Sequence, residues 1–136
     1  MCGIAGYYSL KPIDEDIAKS FQKVMLGLQA RGTDAFGYYV YPQKKSFRID
    51  KSVSEYIEPT KELDKQTPIY QDFINATAIL GHTRAATQGP AKTLFNNHPF
   101  ETKDFILAHN GMIRNDYTLK AKFKLDYKVE TDSFII

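Results

Sequence analysis

Short apolar and aromatic segments recur along this chain of 136 residues, and their length is typical of buried strands rather than of long helices. Charged or turn-forming residues separate one segment from the next. The pattern predicts strands at Ile4–Tyr8, Phe36–Tyr41, Ser46–Asp50, Thr77–His82 and Phe105–His109.

The clearest helical pattern follows Asp14, a residue type that accepts hydrogen bonds from the free backbone N–H groups of a first helical turn. Apolar residues at helical spacing then predict one face that packs into the core. This face consists of Ile17, Phe21, Val24, Met25 and Leu28.

Shorter helical segments are predicted at Tyr70–Ile74 and Asp116–Phe123, and Thr131 is a predicted cap of one more helix. Residues 51–66 are charged and poorly periodic, which predicts a loop with short structured pieces. Asp126 and Glu130 interrupt a series of lysines that we interpret as a solvent-exposed face: Lys120, Lys122, Lys124 and Lys128.

Strands mixed with a few helices predict the α+β class. The length fits one domain, and 43% hydrophobic with 25% charged residues is typical of globular proteins rather than disordered, collagen-like or coiled-coil chains. A net charge of only +2 predicts no nucleic-acid or anionic membrane partner. The chain shows no long apolar run and no basic leader, and its single cysteine suits a reducing compartment, so we expect a cytoplasmic protein.

Cys2 is the only cysteine and a candidate nucleophile. Removal of Met1 would place a thiol and a free α-amine on one residue. An α-amine with a pKa of about 8 can take the proton of a thiol whose pKa is about 8.5, so one residue supplies nucleophile and base. The alternative is a small apolar residue that begins a buried strand.

Two arginines lie in segments that allow a structural or a functional interpretation. The run Arg31-Gly32-Thr33-Asp34 is either a helix-capping glycine with a surface ion pair, or a tight loop that organises a pocket beside Cys2. Arg84 follows a predicted strand, where its guanidinium either binds a carboxylate with two hydrogen bonds or lies exposed.

The run His109-Asn110-Gly111 is either a hairpin turn or an oxyanion hole made by the Asn110 amide and the Gly111 N–H. Asp132 either caps a helix or pairs with a substrate ammonium group. The spacing of the three histidines matches no zinc pattern, so we expect no metal site.

Taken together, these segments resemble the class II glutamine amidotransferase domain, an N-terminal-nucleophile hydrolase, and most nearly the glutaminase domain type of glucosamine-6-phosphate synthase. Six short runs in the same order carry the resemblance: Cys2–Gly6, Arg31–Asp34, Gly81–Arg84, Asn97–Pro99, His109–Gly111 and Thr131–Asp132.

The resemblance implies a role for each matching residue. Cys2 would be the nucleophile with its own α-amine as base, and Asn110 and Gly111 would form the oxyanion hole. The implied glutamine-binding residues are Arg84 for the α-carboxylate, Asp132 for the α-ammonium group and Thr87 in the pocket wall. Arg31, Gly32 and His98 would be supporting residues.

The implied reaction is hydrolysis of L-glutamine to glutamate and ammonia through a Cys2 γ-glutamyl thioester, without cofactor or metal. Ammonia would pass to an acceptor on a synthase domain or subunit. The implied fold is a four-layer αββα sandwich, of which residues 1–136 would be the N-terminal portion, incomplete at its C-terminal side. One alternative is a catalytically idle module that binds glutamine or a partner; another is an amidase acting on a different amide.

Overall fold

The computed structural model describes residues 1–57, 69–125 and 128–136. Its strands are β1 (Gly3–Tyr8), β2 (Ala35–Tyr41), β3 (Lys45–Ile49), β4 (Ala78–Arg84), β5 (Phe100–Glu101) and β6 (Ile106–Leu107). Its α-helices are α1 (Glu15–Leu28), α2 (Val53–Ile57), α3 (Tyr70–Phe73) and α4 (Asp116–Phe123). Short 3-10 helices span Gln29–Arg31, Leu94–Asn96 and Asp132–Ile135.

A four-stranded antiparallel sheet in the order β1-β4-β2-β3 forms the centre of the fold, and β5 pairs with β6 separately. Gly3 lies opposite Thr83, and Ala35 lies opposite Arg84. The beginning of β1, the beginning of β2 and the end of β4 therefore meet at one edge of the sheet. These antiparallel strands and separate helices confirm the α+β class.

Helix α1 covers one face of this sheet. Its cap is the predicted one, since Asp14 Oδ1 accepts a hydrogen bond from the Ile17 N–H at 3.0 Å. Aromatic side chains fill the space beneath it, with Phe21 and Phe73 ring centroids 5.3 Å apart and Phe73 and Tyr38 centroids 5.0 Å apart. Burial of these apolar rings is the main source of stability in this layer.

The predicted apolar face of α1 is only partly correct. Ile17 and Val24 are 36% and 47% exposed, whereas Ala18, Phe21 and Met25 are buried. The reason is close approach to the sheet: a Cβ on Gly81 would lie 2.2 Å from Met25 Sδ. The buried side of the helix is therefore narrow, and the apolar residues Ile17 and Val24 beside it remain exposed.

The bounds of the other elements agree with the sequence pattern to different degrees. Strand β4 continues two residues beyond the predicted end, to Arg84, and β6 is shorter than predicted. Helix α4 has the predicted bounds. Within predicted loop 51–66, the described part holds α2, and residues 58–66 lie outside the described residues.

Two predictions near the C-terminal end are wrong. Thr131 lies at the N-cap position of a 3-10 helix rather than of an α-helix, and its side chain makes no capping bond, since its hydroxyl donates to Asp132 Oδ1 at 3.3 Å. Lys120 is 2% exposed and does not belong to a solvent-exposed face. Its ammonium group finds acceptors inside the protein, which offset the cost of burial.

The segment 98–100 covers part of the second face of the sheet. A Cβ on Gly37 would lie 2.3 Å from the His98 carbonyl oxygen, so only glycine permits this approach. The His98 ring stacks on His82 of β4, with centroids 4.4 Å apart. Within the described ranges, none of the helices has the length and apolar character needed to cross a membrane.

Candidate functional site

Three segments meet at the sheet edge where β1 and β2 begin and β4 ends. Cys2 Sγ lies 3.7 Å from the carbonyl oxygen of Ala85. The Asp34 N–H donates to the Arg84 carbonyl at 2.9 Å, and the Ala86 N–H donates to Asp34 Oδ2 at 2.7 Å. The antiparallel register thus brings residues from positions 2, 34 and 84 into one cluster.

Cys2 contacts the segment that carries Asn110 and Gly111. The Cys2 backbone N–H donates to Asn110 Oδ1 at 3.2 Å, across 108 positions of sequence. The Asn110 oxygen therefore faces the cysteine nitrogen. Among the described residues, neither the Asn110 side-chain NH₂ nor the Gly111 backbone N–H donates to a protein acceptor. Two hydrogen-bond donors remain available on the segment that touches Cys2.

This segment does not form the hairpin turn that Asn-Gly would favour. Strand β6, which precedes it, pairs with β5, and neither Asn110 nor Gly111 has a positive φ. His82 Nε2 lies 3.3 Å from the His109 carbonyl, and His109 Nδ1 lies 2.9 Å from Ser133 Oγ. These contacts hold the segment between β4 and the C-terminal 3-10 helix.

Arg84 is buried beside Cys2 rather than exposed at the start of a loop. Its guanidinium donates to Asn97 Oδ1 at 2.8 Å and to the carbonyls of Gln88 and Gly89. A guanidinium has five N–H groups, and these three bonds leave one N–H on Nη1 and the one on Nε. Burial lowers the Arg84 pKa from its ordinary value, although the nearby charges of Cys2, Asp34 and Asp132 favour the charged form.

Asp132 supplies a buried negative group near this arginine. Its carboxylate accepts hydrogen bonds from the Ile113 N–H at 2.5 Å and from the Thr131 and Ser133 hydroxyls at 3.3 and 3.4 Å. It lies close enough for its charge to act on Arg84. The fold therefore brings one anion close to the cation that lies beside Cys2. A helix cap is not the role of Asp132, since its carboxylate bonds to the distant Ile113 instead.

Arg31 and Gly32 lie against the same cluster. Arg31 Nε donates to the Cys2 carbonyl at 3.3 Å. In the described part of the chain, Arg31 forms no ion pair with Asp34, contrary to the surface-pair interpretation. A Cβ on Gly32 would lie 2.4 Å from both Ala85 N and Arg84 C, so this glycine permits close packing of two backbone segments.

His98 and Thr87 differ in their surroundings. His98 is buried, and both of its ring nitrogens lack a partner in the described structure. Burial lowers the pKa of His98 to about 2 and that of His82 to about 4, so both rings are neutral near pH 7. Thr87 is exposed at the surface of the loop after Arg84.

Metal ligands were not expected from the sequence. Across residues 1–57, 69–125 and 128–136, no three His, Cys, Asp or Glu side chains form a group that could hold a metal ion. The polar groups at the sheet edge are instead arranged as single donors and acceptors around Cys2.

Sequence reasoning missed the roles of several residues that hold the site together. Asn97 and the carbonyls of Gln88 and Gly89 are the partners of Arg84, and Gly89 has a φ of 71°, a backbone conformation that favours glycine. The pair Asn96-Asn97 was a usable signal, because asparagine side chains in loops often satisfy backbone groups. Asn97 Nδ2 does donate to the Ala91 carbonyl at 2.7 Å.

Comparison with known proteins yields similarity over essentially the whole chain. It is 34% identical to a glutamine–fructose-6-phosphate aminotransferase (isomerizing) of Streptococcus mutans over 99% of the chain, and 32% identical to that of Lactococcus lactis, also over 99%. It is 29% identical to a 7-cyano-7-deazaguanine synthase of Sulfolobus acidocaldarius over 100% of the chain. No family model matches the chain.

The chain spans only part of these relatives. It corresponds to 21% of each aminotransferase and 29% of the synthase. Similarity to several aminotransferases over the whole chain supports a class II glutamine amidotransferase domain, and it confirms the resemblance identified in the sequence.

Proposed function

We propose that this chain, similar throughout its length to class II glutamine amidotransferase domains, hydrolyses L-glutamine to glutamate and ammonia. Residues 1–136 would form the N-terminal portion of the glutamine amidotransferase type-2 domain, with the αββα sandwich of N-terminal-nucleophile hydrolases. Cys2 would attack, and the ammonia would pass to an acceptor on another domain or subunit.

The contact between Cys2 and Asn110 carries this proposal. The Cys2 nitrogen donates to Asn110 Oδ1 at 3.2 Å, so a nucleophile and an oxyanion-binding amide share one site although they are far apart in sequence. Arg84 lies close to Cys2, and the opposite charge of Asp132 lies close to Arg84. This set of groups fits the zwitterionic head and the side-chain amide of glutamine.

In the proposed mechanism, Met1 is removed and the α-amine of Cys2 takes the Sγ proton. The thiolate forms a bond with the side-chain carbonyl carbon of glutamine. The Asn110 NH₂ and Gly111 N–H groups stabilise the resulting oxyanion, a contribution of several kcal/mol in such sites. The C–N bond then breaks, and the ammonium group of Cys2 returns its proton to the leaving ammonia.

The thioester is cleaved by water in the second half of the reaction. The α-amine takes a proton from the water, the hydroxide adds to the carbonyl carbon, and the C–S bond breaks to release glutamate. Arg84 would bind the α-carboxylate through a remaining N–H group, and Asp132 would accept from the α-ammonium group. Thr87 would line the pocket, while Arg31, Gly32 and His98 would support it.

The names of the relatives describe a fructose-6-phosphate aminotransferase and a 7-cyano-7-deazaguanine synthase. In this chain we propose only the step that the candidate site supports, the release of ammonia from glutamine. The acceptor would belong to a synthase domain or subunit.

Substitution of the nucleophile tests the proposal. We expect the Met1-processed chain to release ammonia from glutamine and to gain one stoichiometric adduct with a diazo-ketone glutamine analogue. Cys2→Ala should lose both, while Asn110→Ala should lower the rate by about a hundredfold or more, the usual effect of losing one oxyanion donor. Intact mass and an ammonia assay measure the two effects.

Three outcomes would contradict the proposed reaction. Full ammonia release by Cys2→Ala would exclude Cys2 as nucleophile. Glutamine binding by calorimetry without turnover or adduct would favour the catalytically idle module. Equal hydrolysis of glutamine and of N-blocked glutamine would favour an amidase with another substrate, because Asp132 would then have no ammonium partner.

A further inference from the structure

A hydrogen-bond network joins the segments of the two charged residues that would hold the amino-acid head of glutamine. Arg84 lies at the end of β4 and donates to the carbonyls of Gln88 and Gly89. The Gln88 side chain then donates to Asp116 Oδ2 at 2.8 Å and to the Glu130 carbonyl at 3.0 Å. The loop that receives Arg84 is therefore tied to the segment just before Asp132.

Lys120 is the centre of this network. Its Nζ donates to the Thr131 carbonyl at 3.0 Å, to the Glu130 carbonyl at 3.2 Å and to Asp116 Oδ2 at 3.3 Å. An ammonium group has three donors, and these three acceptors match that number. The lysine is 2% exposed, and its bonds to Asp116 and to the Thr131 carbonyl are buried.

The position of these acceptors gives Lys120 its role. Glu130 and Thr131 immediately precede Asp132, and no α-helix or strand holds them. A second tie comes from Asn96, whose Nδ2 lies 3.1 Å from Glu130 Oε2 and whose Oδ1 accepts from the Glu130 N–H at 2.8 Å. Lys120 is the charged group that binds both carbonyls and Asp116 together.

Burial makes this arrangement sensitive to substitution. A buried ammonium group is costly unless it is paired, and Asp116, itself 3% exposed, pairs with it. Loss of the lysine removes the charged donor from both carbonyls, which keep only the Gln88 side chain and the Phe134 N–H, and it leaves one buried carboxylate without its cation. The backbone before Asp132 would then relax towards other donors.

We propose that Lys120 is a positioning residue that sets Asp132 opposite Arg84, and thereby sets the affinity of the site for an α-amino-acid head. This inference rests on the proposed function, because it assigns Asp132 to the ammonium group of glutamine. Lys120 itself acts only through the backbone carbonyls that precede Asp132.

The test measures labelling of Cys2 in the full, Met1-processed chain by a diazo-ketone glutamine analogue. Lys120→Met keeps the length of the side chain and removes its charge. We expect the half-saturating analogue concentration to rise about tenfold, the effect of losing one buried charge-assisted hydrogen bond, while the maximal labelling rate stays within about twofold. Alkylation of Cys2 by iodoacetamide, which has no amino-acid head, should be unchanged.

Lys122→Met is the matched control, because Lys122 is an exposed lysine on the same helix. It should label like the parent chain. The double variant Asp116→Asn with Lys120→Met removes both buried charges and leaves no unpaired carboxylate. It therefore allows labelling to be measured even where the single variant unfolds. It should show the same increase in half-saturating concentration.

The other possible results separate a failure of the proposed function from a failure of the role assigned to Lys120. A parent chain without any adduct would overturn the proposed function and this inference with it. A parent chain that labels, together with an unchanged half-saturating concentration in Lys120→Met, would overturn the inference alone. Equal loss of analogue and iodoacetamide labelling, or unfolding of both variants, would assign Lys120 to general stability and not to positioning.

Discussion

At the scale of single residues, two glycines show how surroundings decide the effect of one added methyl group. Gly32 packs against the Arg84–Ala85 backbone, where a Cβ would lie 2.4 Å from its nearest atoms. Gly27 lies exposed in the last turn of α1, and a Cβ added there would have no neighbouring atom within 4 Å. One site is closed by backbone atoms that cannot rotate away, and the other is open.

We therefore expect opposite effects from the same substitution. Gly32→Ala should destabilise the chain by about 2 kcal/mol, since overpacking in a close contact typically costs about 1–3 kcal/mol. Gly27→Ala should stabilise it by about 0.5–1 kcal/mol, because alanine loses less conformational entropy in a helix. Denaturant unfolding of the two variants measures both changes. An equal stability for the two variants would contradict the close packing at Gly32.

The partners of individual polar residues were the least predictable feature at this scale. The sequence identified Arg84 and Asp132 as candidates, but the carbonyl partners of Arg84 became visible only in the fold. Lys120 was assigned to the solvent, since nothing in its local pattern distinguishes it from Lys122. Its burial depends on Glu130 and Thr131, which are ten and eleven positions away.

At the scale of elements, the beginning of α1 depends on one side chain. Asp14 has extended backbone and accepts from the Ile17 N–H, which satisfies one of the free donors of the first turn. Asp16 lies in the same turn and is exposed, but its side chain makes no such bond in the described structure. Both aspartates carry a negative charge at the same end of the helix, but only Asp14 accepts a capping hydrogen bond.

Asp14→Ala should lower the free energy of unfolding by about 1 kcal/mol, the typical value for loss of a capping side chain. Asp16→Ala should lower it by at most about 0.5 kcal/mol, since it removes only a favourable charge near the helix N-terminus. Thermal unfolding and the helical circular dichroism signal measure the difference. A larger loss for Asp16→Ala would show that charge rather than capping stabilises this end.

Elements with a strong local pattern were predicted closely, and those without one were not. Strand β1 and helix α4 have nearly or fully the predicted bounds, because apolar runs and helix-forming residues act locally. The buried face of α1 and the short β6 were predicted less well. Their limits depend on Gly81 beneath the helix and on pairing with β5, which are distant in sequence.

At the scale of the whole molecule, the contact between two layers creates a pH-dependent term in stability. His82 belongs to the central sheet and His98 to the segment that covers it, and their rings lie 4.4 Å apart. Burial, followed by nearby cationic groups including Arg84, lowers the His98 pKa to about 2; burial also dominates the decrease of the His82 pKa to about 4. Both values lie below 6.5, the ordinary value of a histidine.

The sign follows from proton binding. Below pH 6.5 the unfolded chain takes up protons on these histidines, whereas the folded chain does not until much lower pH. Stability is therefore greatest above pH 6.5 and decreases as the pH falls towards 4, by about 1.4 kcal/mol per pH unit for each histidine. Denaturant unfolding between pH 7 and pH 5 should show this decrease.

His98→Phe tests the assignment, because it keeps a flat ring against Phe100 and removes one titrating group. Between pH 6 and pH 5, unfolding of the variant should take up about one proton fewer than unfolding of the parent chain. The free energy of unfolding should therefore depend less steeply on pH, by about 1.4 kcal/mol per pH unit. An unchanged slope would mean that His98 is protonated in the folded chain.

The cover over the central sheet is partial in the described structure. Tyr8 and Tyr41 are 73% and 50% exposed, and a groove of about 470 Å³ lies between Tyr39 and Tyr41 of β2 and the turn before β6. The layer of α1 is closed by contrast, with Phe21, Phe36 and Met25 buried. The two faces of one sheet thus differ in how far they are covered.

The sequence by itself determined the local features of this protein: the α+β class, the cap at Asp14, most strand positions and the order of short runs that resemble a glutamine amidotransferase domain. These features depend on residues a few positions apart, so a linear pattern contains them. Only the tertiary structure decided which charges meet. The antiparallel register brings Cys2 to Arg84, long loops bring Asn110 and Asp132 to the same edge, and burial converts Lys120 from a surface charge into an internal donor. Such contacts depend on the desolvation and pairing of groups that are distant in the chain.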